Sequence, residues 1–146
     1  MNNSKYITRF TGTDRQKEDL CYETLDEAKE ALLKFVGVTT EKYRNIAVLE
    51  QTGAGRTQTL TVKMILPFAN GKPQPIISDG DIVRLKPEFA HPCELKYLFR
   101  VSNIHEEYER LNIICINSGG AIAPSQAVGL ETVCPIKTER TEEEKQ

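Results

Sequence analysis

The sequence predicts an α+β protein in which an N-terminal helix-on-sheet layer of order ββαββ is followed by a small C-terminal β-barrel. Three observations carry that expectation: one capped amphipathic helix early in the chain, alternating segments on either side of it, and a second half built from short strand-like runs with no helical period between them. A length of 146 residues suits one domain or two very small modules. The expected division is residues 1–66 for the first module, 67–76 for a connector, 77–136 for the barrel and 137–146 for a polar tail.

In the first half, Tyr6-Ile7-Thr8-Arg9-Phe10 alternates as a half-buried strand does, and Asp19-Leu20-Cys21-Tyr22-Glu23 follows as a short second strand after turn chemistry at Thr11-Gly12-Thr13-Asp14. Thr24 and Glu27 form a capping box, in which each side chain accepts from a backbone N–H that the helix start leaves unpaired. Leu25, Ala28, Ala31, Leu32, Phe35 and Val36 then recur at helical spacing, opposite Asp26, Lys29, Glu30 and Lys34, and Gly37 offers a left-handed residue to end the helix. Residues 45–50 and 57–65 read as two further strands around a hairpin tip at Thr52-Gly53-Ala54-Gly55. One helix covers one face of such a sheet, and the alternation in residues 57–65 predicts a solvated second face.

Asn70-Gly71-Lys72-Pro73-Gln74-Pro75 concentrates turn and breaker residues, which marks the connector. Beyond it, strands are expected at Ile82–Leu85, Tyr97–Val101, Leu111–Ile116, a short one at Ala121-Ile122, and a last at Leu130–Val133, with a charged turn at Glu106-Glu107 and a tight turn at Asn117-Ser118-Gly119-Gly120. Closing these short strands into a barrel disposes of exposed sheet edges.

The run Asp79-Gly80-Asp81-Ile82-Val83-Arg84-Leu85-Lys86 resembles the opening of SH3-like barrels of the KOW type, where a glycine-aspartate turn feeds the first strand. The later strand spacing and the closing Val128, Leu130 and Val133 are similar, so the likeness spans residues 77–136. It implies a fold that serves many unrelated binding roles. In overall style the chain also resembles small proteins of phages and other mobile elements, which implies a role such as inhibiting a host defence complex.

Composition bounds the classes of function. With 39% hydrophobic and 27% charged residues the chain is globular. No apolar run reaches the roughly 18 residues of a membrane helix, and the polar N-terminus lacks the apolar core of a secretory signal, so a cytoplasmic address is expected. The four cysteines are scattered; Cys115 and Cys134 lie in strand-like apolar runs and are expected as buried thiols outside any disulfide. A net charge of −2 argues against a general duplex binder, which needs a basic excess to neutralise phosphates.

Chemistry-bearing clusters are sparse. His91-Pro92-Cys93 is the one close His/Cys pair, its proline is expected to hold the loop extended, and no second pair adjoins it to complete a metal site. His105, Glu106 and Glu109 are expected as solvated charge in a turn. Asp79/Asp81 and Glu106/Glu107 suit turns better than acid–base pairs. Gly53-Ala54-Gly55-Arg56 lacks the Lys-Ser/Thr continuation of a phosphate loop, and no cofactor fingerprint opens a helix. The expectation is therefore a non-enzymatic protein with no cofactor and no metal.

One surface stands out. If residues 82–86 pair with 97–101, Val83, Leu85, Phe99 and Val101 turn inward, while Arg84, Lys86 and Arg100 share the outer face with Lys96 at its margin. Because catalytic and metal clusters are absent and a two-part β-rich fold offers edges and loops, another protein is the first expected partner; the stripe itself suits phosphates or an acidic partner surface. Nucleic acid contacted through the same residues is the second, and a small ligand or substrate held between the two halves is the third.

Overall fold

The computed structural model describes residues 5–53, 55–116 and 126–136. The first half forms β1 (Lys5–Gly12), β2 (Lys17–Tyr22), α1 (Leu25–Leu33), β3 (Tyr43–Thr52) and β4 (Thr59–Ala69). Thr24 caps α1 as its sequence predicts: its hydroxyl accepts from the Glu27 N–H at 3.2 Å, and the Glu27 carboxylate accepts from the Thr24 N–H at 3.3 Å. The helix is shorter than its apolar period. After Leu33 the chain tightens into i→i−3 bonds, Phe35 to Leu32 and Val36 to Leu33, and reaches Gly37 at φ +86°. Phe35 still turns inward to meet Phe10 and Tyr43 in a three-ring cluster with centroids 5.4–5.6 Å apart, but Val36 is exposed.

Residues 67–76, the expected connector, hold the end of β4, a tight turn at Asn70-Gly71, and β5 (Lys72–Pro73) folded back on β4. Next, β6 (Ile77–Ser78) also pairs with β4, so residues 77–78 extend the first sheet. That sheet runs β2-β1-β3-β4-β5, with β6 beside β4 off the main path. The second half contributes β7 (Ile82–Leu85), β8 (Phe99–His105), β9 (Arg110–Cys115), β10 (Gln126–Gly129) and β11 (Val133–Pro135), all antiparallel in the order β10-β9-β8-β7-β11. Strand β8 starts two residues later than expected and runs on to His105. Residues 130–132 form a 3₁₀ turn instead of a strand, because Leu130 drops into the core while its N–H donates to the Glu109 carbonyl and the Thr132 hydroxyl donates to Gly129. The expected turn at 117–120, the strand at 121–122 and the tail at 137–146 lie outside the described residues.

The expectation of a solvated second face on the first sheet is overturned. Phe10, Ile46, Val48, Met64 and Leu66 pack under Ala28 and Leu32 of the helix. On the opposite face Ile7, Ala47, Leu49, Val62 and Ile65 join Val83, Val101, Leu111 and Ile113 of the second sheet in one buried cluster. The molecule is a three-layer stack of helix, sheet and sheet. Alternation on β4 reads as one wet face because residues 59–61 are exposed at its outer end, whereas β3 is buried from Asn45 through Leu49, as a central strand covered on both sides must be.

A cluster shared between the sheets couples their stabilities. Leu111, fully buried in β9, is expected on truncation to alanine to cost about 2–5 kcal/mol. The measurable consequence is lost amide protection in β1 and β3 as well as in β9. Unchanged exchange in β3 alongside a destabilised β9 would show that the sheets open separately.

Candidate interaction surface

Alternation along β7 and β8 places Val83, Leu85, Phe99 and Val101 in the core and leaves Arg84 and Arg100 exposed, as expected. The register builds the outer face of the second sheet from this pattern. Arg100 stands between Ile82 of β7 and Ile114 of β9, and the Ile136 N–H bonded to the Ile82 carbonyl extends that row past β11. Beside it Arg84 stands opposite Cys134, and the Leu98 carbonyl accepts from Ile116. Ile116 and Ile136 are exposed, Ile82 and Ile114 half-buried, and none of the four belongs to either core cluster. These two rows therefore mix isoleucine with two guanidinium groups and contain no carboxylate. Arg84 is braced by a 3.2 Å bond from Nη1 to the Leu95 carbonyl. The other two members of the expected stripe are set apart: Lys96 lies over the Tyr97 ring, 5.4 Å from its centroid, and Lys86 lines a cleft past the end of β7.

The charged turn at 106–109 is not the solvated feature that its composition suggests. Glu106 is only 6% exposed and accepts from Arg9 of β1 at 3.3 Å. Arg9 itself is held by two bonds to Asp19 at 2.9 and 3.0 Å. Glu107 meets Lys17 at 3.3 Å, and Glu109, at φ +54°, takes both Nε and Nη2 of Arg44 and the Asn45 amide. Three acids of one turn thus engage three bases of the first sheet across the layer boundary. Exposed pairs of the Lys17–Glu107 kind contribute about 0–1 kcal/mol. In the Arg9–Glu106 pair Glu106 is buried and Arg9 partly so, and loss of Arg9 would leave the Glu106 carboxylate without its hydrogen-bonded base. Burial pushes the Glu106 carboxyl above the ordinary glutamate range, outweighing the attraction of Lys17 and Arg9. Burial likewise raises Asp81, whose carboxylate accepts from the Ser78 N–H at 2.7 Å. Spacing along the sequence carried no signal for this seam, because its partners are separated by 65 to 97 residues.

The junction of the sheets opens into two neighbouring clefts that share Phe68 and Glu109. The more polar one, about 620 Å³, lies among Thr13, Glu41, Arg44 and Asn70. The more apolar one, about 350 Å³, has Ile77, Leu130 and Val133 at its base, Pro67, Pro75 and Pro135 in its walls, and Lys86 and Cys134 among its lining residues. Two other expectations need correction. The His91-Pro92-Cys93 loop is curled, with Pro92 opening a 3₁₀ turn whose Glu94 carboxylate accepts from the His91 N–H at 2.9 Å. Cys134 is exposed and Cys115 half-buried, since Cys134 alternates outward from the buried Val133. Among the described residues no group of three His, Cys, Asp or Glu is placed to hold a metal, and no helix is long and apolar enough to cross a membrane. No family model matches the chain, and no curated protein or solved structure matches it.

Two outcomes follow for the seam. Arg9→Met is expected to cost about 1–3 kcal/mol, because it removes the hydrogen-bonded base of the buried Glu106 and leaves it only the attraction of Lys17, and Glu106→Gln in the same chain is expected to recover most of that loss in urea unfolding. The second outcome concerns pH. A carboxyl whose folded pKa is raised binds its proton more tightly in the native state, so its contribution grows as pH falls through the folded value and is lost as pH rises back through it. The stability of the wild type relative to Glu106→Gln is therefore expected to improve from neutral pH down towards the ordinary glutamate range; a difference flat across that window contradicts the assignment.

Proposed function

We propose that this chain is a non-enzymatic binding protein that acts by protein–protein contact through the outer face of its second sheet. The observation that carries the reading is the pair of cross-strand rows in which Ile82, Ile114, Ile116 and Ile136 surround Arg84 and Arg100 without a carboxylate. Exposed apolar side chains gathered on one face mark interaction surfaces, and arginine beside aliphatic groups is the composition of an interface centre. The polar groups that converge elsewhere, Arg9, Glu106, Arg44 and Glu109, are committed to one another across the layer boundary, which supports a structural role for them. In keeping with a binding role, the second half is proposed to be an SH3-like fold. A meander from β7 to β10, a 3₁₀ turn, and a return strand β11 paired with β7 support that assignment.

Protein is favoured over nucleic acid by what accompanies the arginines. Single strands are held by aromatic stacking platforms along a basic track, whereas these two rows offer isoleucine, leucine and cysteine.

The test is a paired substitution, Arg84→Glu with Arg100→Glu, both at exposed positions. The wild type is expected to enter a stoichiometric complex with a protein of its native host, detected by cross-linking and size-exclusion chromatography, and the double variant is expected to weaken it at least ten-fold. A wild type that stays alone at every concentration, or a double variant that binds equally well, contradicts the proposal.

A further inference from the structure

We propose that the partner presents an extended segment of alternating acidic and apolar side chains that crosses β8, β7 and β11 and sets one apolar side chain into the cleft between β11 and the Pro67–Pro75 hairpin. This rests on the outer face being the binding surface and names what that surface selects. Charge complementarity commits the occupant: two exposed guanidinium groups and no carboxylate in the two rows call for acids, and the isoleucines around them call for aliphatic or aromatic neighbours. Across β8, β7 and β11 one row runs Arg100, Ile82, Ile136 and the other Leu98, Arg84, Cys134, so an extended chain laid over either meets one guanidinium flanked by apolar or thiol positions.

The cleft supplies the anchor. Cys134 is shared: it stands beside Arg84 on the outer face and also lines the cleft, which makes the two surfaces continuous. At about 350 Å³, with Ile77, Leu130 and Val133 at its base and prolines in its walls, the cleft has the apolar character that buries an anchoring side chain. Its charged lining residues are Glu109, which is engaged by Arg44 and Asn45, the exposed Glu131, and Lys86, which offers a further cation to an acid flanking the anchor.

The experiment uses the full chain, labelled with ¹⁵N, and four synthetic probes: a twelve-residue peptide alternating Glu and Leu with one central Phe, the same peptide with Lys for Glu, the same with Ser for every apolar residue, and a twelve-nucleotide oligothymidylate. The first is expected to bind and to shift the amides of residues 82–86, 98–100, 133, 134 and 136. The lysine and serine peptides are expected to bind at least ten-fold more weakly. Ala69→Trp, which fills the cleft from an exposed position on its rim, is expected to lower affinity for the first peptide about ten-fold while leaving its salt dependence intact. Arg84→Gln with Arg100→Gln is expected to remove most of that salt dependence, leaving the part that Lys86 carries. Equal binding of the lysine or serine peptide at the same amides overturns the inference and leaves protein binding by this face standing. So does full affinity in Ala69→Trp, or no binding of the first peptide at millimolar concentration. Binding of the oligothymidylate alone at those amides overturns both readings.

Discussion

Burial of the second face of the first sheet is the constraint from which the remaining architecture follows. A sheet of this length covered by a single nine-residue helix on one side leaves Ile7, Ala47, Leu49, Val62 and Ile65 in water unless something else lies over them. The second sheet does so with Val83, Val101, Leu111 and Ile113. Each valine, leucine or isoleucine so removed from water contributes about 1.5–3 kcal/mol. That packing forces one face of the second sheet inward, and by alternation sends Arg84, Arg100, Ile82 and Ile114 outward.

Apolar contact does not by itself orient one sheet on another. The acidic turn after β8 supplies direction: Glu106, Glu107 and Glu109 reach Arg9, Lys17 and Arg44, which lie on β1, β2 and β3. Rotation of one layer on the other would separate three ion pairs and strand the buried Glu106. Their role is registry more than strength, since the exposed pair contributes little and the buried one pays desolvation against its attraction. The seam holds one end of the stack, while the apolar cleft, lined by the β4–β5 hairpin, the 3₁₀ turn and β11, opens beside it where the two sheets meet.

Much of the local structure was legible in the sequence. The capping box at Thr24 and Glu27, the strands around Ile7, Ala47 and Val83, and the inward set Val83, Leu85, Phe99 and Val101 are all decided by contacts within a few residues or by a period of two. The same alternation exposed Arg84 and Arg100. Where local pattern misled, a distant partner was the cause. Leu130 gave up strand geometry because its side chain and N–H found places near Glu109, and the 106–109 turn became an internal clamp because bases far earlier in the chain came to meet it.

Sequence alone determined the α+β character, the start of the helix and which residues of β7 and β8 face inward, because capping and side-chain alternation act over two or three residues along the chain. Only the tertiary structure decided that the first sheet is covered twice, that Glu106 is buried against Arg9, and that isoleucines in or just past β7, β9 and β11 gather around two arginines. Those depend on the order and register of strands that are remote in sequence, and no periodicity within a segment encodes what will pack across from it.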